Sequence, residues 1–404
     1  MIDDRSRRTK VLVLSRSYPN RVQPLLGIWV QQMVAATAAY AEARVISPAP
    51  WCPPLPRLPE HFAAFRGIER SGEHDGVEVL HPRFVVGPGS TLVRFEAASY
   101  LASVLPAVAR MRRAFPFELV HAHFTYPDGV VAAILGKLFR VPVVVTEQAP
   151  WRPWLEQDGV VRRQAVWAAR QARFQVAIST AVKDSIEHFT GALENLVVVP
   201  DAVDGSVFTL PANGRPRTRN RILFVGAVRP VKGLDILLEA VRLLEQRGRD
   251  VELVVIGEGH FDRYRREQAR LERLSHELGL SGRVRFVGRK PVSELVGAMQ
   301  ESAALVLPSR AESLGMVLVE ALACGTPVVA TRCGGPEDIV TPEVGVLVPP
   351  EDPAALADGI TSVLDGGDRY EPAVLRAHAL ERFGEDVVGA RVAELYRSAL
   401  RSRR

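Results

Sequence analysis

Short β-branched runs alternate with longer amphipathic stretches along almost the whole chain, and this alternation limits the fold more than any single motif. Val11–Ser15, Ala43–Ser47, Glu118–His123, Val141–Thr146 and Gln175–Ser179 each read as buried strands of four to seven residues, bounded by polar or proline-containing turns. Helix-like segments such as Trp29–Tyr40 and Asp128–Phe139 lie between them. Strand, crossover helix and strand in series predict a parallel sheet with helices on its faces. The pattern pauses over residues 205–220, where turn formers and charges crowd, and restarts at Arg221. Strands are then expected at Val251–Ile256, Val284–Val287, Ala303–Leu307, Pro327–Thr331 and Val344–Val348. Helices are expected at Leu234–Gln246, Phe261–Leu278, Val292–Ser302, Gly315–Ala323, Pro353–Asp365 and Asp386–Arg401.

The expectation is an α/β protein with two doubly wound, Rossmann-like parallel-sheet domains facing a cleft. Residues 1–204 form the first, 205–220 a linker and 221–382 the second, with a helix within 383–404 packing back on the first. The length of 404 residues fits two such domains. In sheets of this kind, ligands bind beyond the carboxyl ends of the strands.

Composition removes several classes. No run of about 18 apolar residues is present to span a membrane, and the charged start with its short apolar run is unlike a secretory signal. Three cysteines without a C-x-x-C pair give neither a disulfide framework nor a zinc motif, so a cytoplasmic setting is expected. A net charge of +5 is too small to imply nucleic acid. Of the 51 basic residues only five are Lys, the rest Arg. A Lys beside a glycine turn therefore stands out.

The strongest constellation is Pro308–Ala323, PSRAESLGMVLVEALA. A strand ends, a polar loop with Glu312, Ser313, Leu314 and Gly315 follows, and a helix opens near Met316. Unpaired N–H groups and the positive helix end make an anion seat there. Glu320 lies eight residues after Glu312, about 12 Å along a continuous helix. Carboxylates only accept hydrogen bonds, so both suit sugar hydroxyls. Arg229 and Lys232, between the strand ending at Gly226 and the helix near Gly233, offer a fork and a point charge for a diphosphate. Gly257 in VVIGEGH is a wall-loop glycine rather than a dinucleotide fingerprint, and Arg289 follows the strand VRFV, where backbone could read a base edge. Gly27 follows the first strand and lets backbone pass close to a phosphate or an acceptor. His121 and His123, two apart on one strand, face the same side, but no third ligand is evident and no metal is expected. Asp128 is expected to cap the following helix. The basic stretch within Thr91–Phe115, with Arg110, Arg112 and Arg113, reads as a core helix with a charged face or as a surface for the inner face of a membrane.

These residues resemble glycosyltransferase family 4, the retaining nucleotide-sugar enzymes of the GT-B fold, over nearly the whole chain. The family's Glu-x7-Glu signature stands as Glu312 and Glu320, its phosphate-gripping pair as Arg229 and Lys232, and its first-strand glycine as Gly27. The resemblance implies that Glu320 holds the ribose, Glu312 contacts the transferred sugar, and the amides of Ser313–Met316 meet sugar or phosphate. The donor would be a nucleoside diphosphate sugar, with no further cofactor and no metal. The acceptor would be a hydroxyl on a saccharide or a lipid-linked molecule, in polysaccharide, glycolipid or glycoconjugate synthesis. Two positions depart from the pattern. Gln148 stands where the family commonly has a His near the reacting sugar, and Pro200–Asp204 (PDAVD) replaces an Asn-Gly-Val-Asp run. A nucleotide-sugar epimerase or hydrolase of the same fold stays as an alternative, and because Gln cannot act as acid or base so does a non-catalytic sugar-binding protein. A nicotinamide oxidoreductase is disfavoured by the lack of G-x-G-x-x-G.

Overall fold

The computed structural model describes residues 8–51, 65–86, 90–151, 154–212, 218–259 and 262–401. The chain divides into two compact units: Met1–Ala202 with Glu385–Arg404, and Val203–Gly384.

The first unit carries β1 (Thr9–Leu14), β2 (Ala41–Ile46), β3 (Ala49–Trp51), β4 (Ser71–His74), β5 (Val77–Leu80), β6 (Arg83–Val85), β7 (Leu119–His123), β8 (Val143–Glu147), β9 (Phe174–Ala177) and β10 (Leu196–Val198). Eight of them form one sheet in the order β10-β9-β8-β7-β1-β2-β5-β4, and β3 pairs with β6 apart from it. Every neighbour in the large sheet is parallel except β4–β5. That hairpin turns on Asp75-Gly76, both at positive φ, a two-residue turn that matches strand twist. Asp-Gly between two short strands is a strong hairpin signal, and the alternation of long apolar runs hides it.

Helices cover the sheet: α1 (Ile28–Thr37), α2 (Glu96–Ala114), α3 (Val130–Phe139), α4 (Trp154–Gln157), α5 (Gly159–Gln171) and α6 (Thr180–Thr190). Asp158 caps α5 through the N–H groups of Val160 and Val161, and Ser179 caps α6 through Val182. Val11, Leu12, Val13 and Leu14 of β1 are all buried, as a strand covered on both faces requires.

The second unit has β11 (Thr218–Val225), β12 (Glu252–Ile256), β13 (Val284–Phe286), β14 (Ser302–Leu307), β15 (Val328–Thr331) and β16 (Gly345–Val348), all parallel, in the order β13-β12-β11-β14-β15-β16. Its helices are α7 (Leu234–Gln246), α8 (Asp262–Glu277), α9 (Val292–Glu301), α10 (Met316–Ala323), α11 (Pro353–Asp365) and α12 (Pro372–Phe383). Part of the stretch read as a linker is fastened here: Arg376 donates to the carbonyls of Gly205 and Phe208.

The final helix, α13 (Glu385–Arg401), belongs to the first unit. Its Val388, Val392, Tyr396 and Ala399 join the core built on β1 and α1. A Cβ on Gly389 would meet the Ala36 carbonyl oxygen at 1.9 Å, so only glycine allows this approach to α1.

The basic stretch forms α2, and its apolar side, Ala97, Tyr100, Val104, Val108 and Met111, is buried in the unit's own core. The apolar side therefore faces the core, as the charged-face reading expects. Among the described residues no helix is long and apolar enough to cross a membrane.

Candidate active site

In the second unit, loops leaving five adjacent strands are fastened to one another in sheet order. After β12, Gly257 N–H donates to the Gly288 carbonyl beyond β13 (3.0 Å). Val228 N–H, after β11, donates to the Glu258 carbonyl (3.2 Å), and Arg310 N–H, after β14, to the Val231 carbonyl (2.8 Å). Glu312 N–H donates to the Cys333 carbonyl beyond β15 (3.2 Å), and Gly335 N–H returns to the Glu312 carbonyl (2.9 Å). Arg229, Lys232, Gly257, Arg289 and Glu312 therefore sit on one rim at the carboxyl ends of the strands.

Glycines make the rim close-knit. A Cβ on Gly257 (φ 138°) would lie 1.8 Å from the Gly226 carbonyl oxygen, and one on Gly233 (φ 64°) 2.0 Å from that of Pro308.

Within this rim Lys232 Nζ donates to Glu312 Oε2 at 2.7 Å, and Ser309 Oγ donates to the same oxygen at 3.0 Å. The Arg229 guanidinium lies over the Tyr264 ring, 4.9 Å from its centroid, and its buried Nε has no hydrogen-bond partner among the described residues. Arg289 is exposed at the edge.

Helix α10 starts at Met316 behind a left-handed Gly315 (φ 95°) with no side-chain cap. Leu318 N–H already donates to the Gly315 carbonyl (2.8 Å), and the N–H groups ahead of it in the first turn are the ones a ligand or water can take. The start at Met316 agrees with the helix expected over Gly315–Ala323, and Glu312 is in the preceding loop, bridged to Gly334, so the 12 Å that a continuous helix would give does not apply. Leu314 is buried, and Gly335 packs so closely that a Cβ there would meet Leu314 Cα at 2.2 Å.

Glu320, one turn into α10, has no hydrogen-bond partner for its carboxylate among the described residues, and burial alone pushes it up to about 7.

Sequence reasoning missed Arg310. Its two terminal nitrogens take both oxygens of Asp235 at 3.0 Å, and the side chain also reaches Glu351 and the Pro230 carbonyl. It braces the Arg229–Lys232 loop against β14. Burial pushes Asp235 upward, but hydrogen bonds and charge from Arg310 hold it below the usual carboxylate range. An Arg just after a strand end was the available signal, lost among so many arginines.

In the first unit, Gly27 (φ 67°) precedes α1, and a Cβ there would lie 2.0 Å from the Ser17 carbonyl oxygen. The loops after β1, β2 and β5 border a cavity of about 350 Å³, with Arg16, Asn20 and His81 among its polar walls and Leu26, Phe65 and Phe84 among its apolar ones. Arg16 is paired with Glu96.

Gln148, just beyond β8, is buried. Its Nε2 lies 3.3 Å from His123 Nδ1, and its side chain also hydrogen-bonds Asp201. The two places where the sequence departs from the family pattern thus touch each other. Asp201 is in the interior, where burial, opposed by the Gln148 hydrogen bond, raises it to about 7.

His121 and His123 stack with centroids 4.5 Å apart. Burial lowers His121 to about 3 and His123 well below its ordinary value. His121 spends its nitrogens on Tyr396 Oη (2.7 Å) and Thr146 Oγ1 (2.8 Å), so this pair forms no metal centre.

Asp128 does not cap α3. Its Oδ1 accepts from Arg16 N–H and Tyr100 Oη, both at 2.7 Å, because a wide turn over Thr125–Gly129 carries it toward the loop after β1. Burial raises it to about 7 against the opposing Arg16 charge and Tyr100 hydrogen bond.

Comparison with known proteins places the chain. The family model described as Glycosyltransferase Family 4 matches residues 10–206, and that described as Glycosyl transferases group 1 matches residues 209–378. The D-inositol 3-phosphate glycosyltransferase of Xylanimonas cellulosilytica is 31% identical over 357 residues, covering 81% of this chain and 83% of that one. The chain belongs to glycosyltransferase family 4. The Corynebacterium jeikeium D-inositol 3-phosphate glycosyltransferase is 33% identical over 303 residues, 68% of this chain and 71% of that one. Among solved structures, sucrose-phosphate synthase from Thermosynechococcus elongatus superposes with a TM-score of 0.79 at 21% identity, covering 98% of this chain and all of that one. Anabaena HepE, solved with UDP-glucose, gives 0.71 at 21% identity, covering 97% and 100%. These likenesses confirm two Rossmann-like units of the GT-B fold. As a family member this glycosyltransferase moves a glycosyl group.

Proposed function

We propose that this glycosyltransferase takes a hexosyl or related sugar from a nucleoside diphosphate sugar and passes it, with retention, to a hydroxyl of a saccharide or lipid-linked acceptor. The observation that carries the reading is the meeting of Lys232, Glu312 and the uncapped start of α10 on one rim. Relatives solved with UDP and UDP-glucose support a donor of this class.

The difficult step is charge separation. The bond from the anomeric carbon to the diphosphate oxygen lengthens, leaving an oxocarbenium-like sugar and a growing negative charge. Arg229, Lys232 and the N–H groups at the α10 start oppose that charge by fixed electrostatics, without need of a metal. The acceptor oxygen attacks from the leaving-group side, and its proton passes to the departing phosphate oxygen. Glu312 receives hydroxyls of the transferred sugar and Glu320 those of the ribose. Gly27 admits backbone close to the acceptor or phosphate, while Gly257 and Arg289 line the base. Gln148 serves by hydrogen bonding alone. His123 beside it is held neutral by burial and is a poor proton reservoir.

The test is calorimetry of nucleoside diphosphates and their sugars with Lys232→Ala and Glu320→Ala. Loss of affinity by about tenfold or more in each is expected. Unchanged affinity in both would overturn the assignment. Donor breakdown at the full rate without an acceptor would move it to a hydrolase.

A further inference from the structure

Three ligating side chains converge at the edge of the first unit's sheet. Glu69 precedes β4, His74 ends β4, and His81 follows β5. One ligand atom from each lies within 4.8 Å of the other two. His74 Nε2 is 3.8 Å from Glu69 Oε1, too long for a hydrogen bond. His74 Nε2, Glu69 Oε2 and His81 Nε2 are all buried from solvent, and none has a hydrogen-bond partner among the described residues. An orphaned polar atom on each of three converging side chains is costly unless something binds them.

The tautomer of His81 fits that purpose. Its Nδ1 is 2.8 Å from the Ser47 carbonyl oxygen, which can only accept, so Nδ1 carries the proton. Nε2 is therefore left with a lone pair, and the ring is only 1% exposed. A backbone carbonyl fixing the far nitrogen is the usual support of a metal-bound imidazole. Burial also favours the neutral ring.

We infer that Glu69, His74 and His81 form a binding site for a divalent transition metal, of which Zn²⁺ fits best. Two imidazoles and one carboxylate are a standard zinc set, leaving a fourth position for water or a ligand. At metal–ligand distances of about 2.1 Å, neighbouring ligand atoms in a tetrahedron are about 3.4 Å apart, so a trio within 4.8 Å needs to tighten by about 1.4 Å at most. The hairpin brings this about. Its Asp75-Gly76 turn folds β4 onto β5, and His81 N–H donates to the Arg70 carbonyl (2.8 Å), which draws both ends of the hairpin together.

The metal would tie Glu69, ahead of β4, to both strands of the edge hairpin, while His81 Nδ1 stays on the Ser47 carbonyl after β2. His81 also lines the 350 Å³ cavity, so the site bears on that wall. The proposal is independent of the donor chemistry, which uses the other unit.

The experiment uses the full chain prepared without a histidine tag, treated with chelator, and titrated with Co²⁺ and then Zn²⁺. One equivalent of Co²⁺ should give the visible absorption of a four-coordinate site, and Zn²⁺ should bleach it and raise the melting temperature. His74→Gln, on a partly exposed edge strand, should weaken Zn²⁺ by about tenfold or more while the fold survives by circular dichroism. Absence of the Co²⁺ band in the unsubstituted chain, or equal Zn²⁺ affinity in the folded His74→Gln variant, would overturn the site. Neither readout needs donor or turnover, so failure here is distinct from failure of the proposed activity.

Discussion

Lys232 Nζ lies 2.7 Å from Glu312 Oε2, so the two charges given to one donor neutralise each other before any donor arrives. A diphosphate entering the rim must compete with Glu312 for the ammonium. Glu312→Ala should therefore tighten a bare nucleoside diphosphate, by about threefold to tenfold, while sugar transfer collapses. Calorimetry and turnover on the same preparation check the opposed signs. Weaker nucleotide binding would mean that the pair does not compete.

Glu320 gives a pH dependence with a definite direction. The free carboxyl is held at about 7, so it is largely protonated below neutrality. Ribose hydroxyls donate to it and favour the ionised form, so binding releases a proton below about pH 7. Donor affinity should rise from pH 5 to about 7 and then level off. Calorimetric enthalpy near pH 6 should depend on the buffer's ionisation heat, and Glu320→Gln should remove that dependence.

Asp128 tests the cost of a buried carboxylate. Its folded pKa of about 7 exceeds the unfolded value of about 4, so the folded chain holds an extra proton between them. Stability therefore falls as pH rises through that window, and the deficit is complete above it. Asp128→Asn keeps the acceptor for Tyr100 and Arg16. It should raise the melting temperature by a few degrees at pH 8 and change little near pH 4.

Gly257→Ala should lower the melting temperature of the second unit by about 5 °C or more, because its Cβ would enter the Gly226 carbonyl at a positive φ. Gly282→Ala, in open space at an ordinary φ, is the control and should change it little. Differential scanning calorimetry separates the two outcomes.

Much of this architecture was legible because a strand covered on both faces must be apolar throughout. Leu234–Gln246 and Pro353–Asp365 are helices over the expected residues, the latter capped by Asp352. The rim was legible too, since Lys232 and Glu312 stand beside glycine turns. The pieces that escaped are short or polar. Strand β10 has three residues, and β4 reads Ser-Gly-Glu-His with no apolar signal at all. The site of Glu69, His74 and His81 escaped because its spacing means nothing until the hairpin pairs. Asp201 escaped because a turn sequence does not reveal its burial.

Helix α13 has a consequence for biosynthesis. Residues 203–384 form an insertion within the first unit, and Val203 N–H meets the Phe383 carbonyl where the chain leaves and returns (2.7 Å). The apolar surface of α1 and β1 is therefore translated long before its partner helix. The ribosome delivers a finished second unit while the first still lacks Val388, Val392 and Tyr396 from its core. The nascent first unit is the stage at which this chain is most open to chaperones and to aggregation.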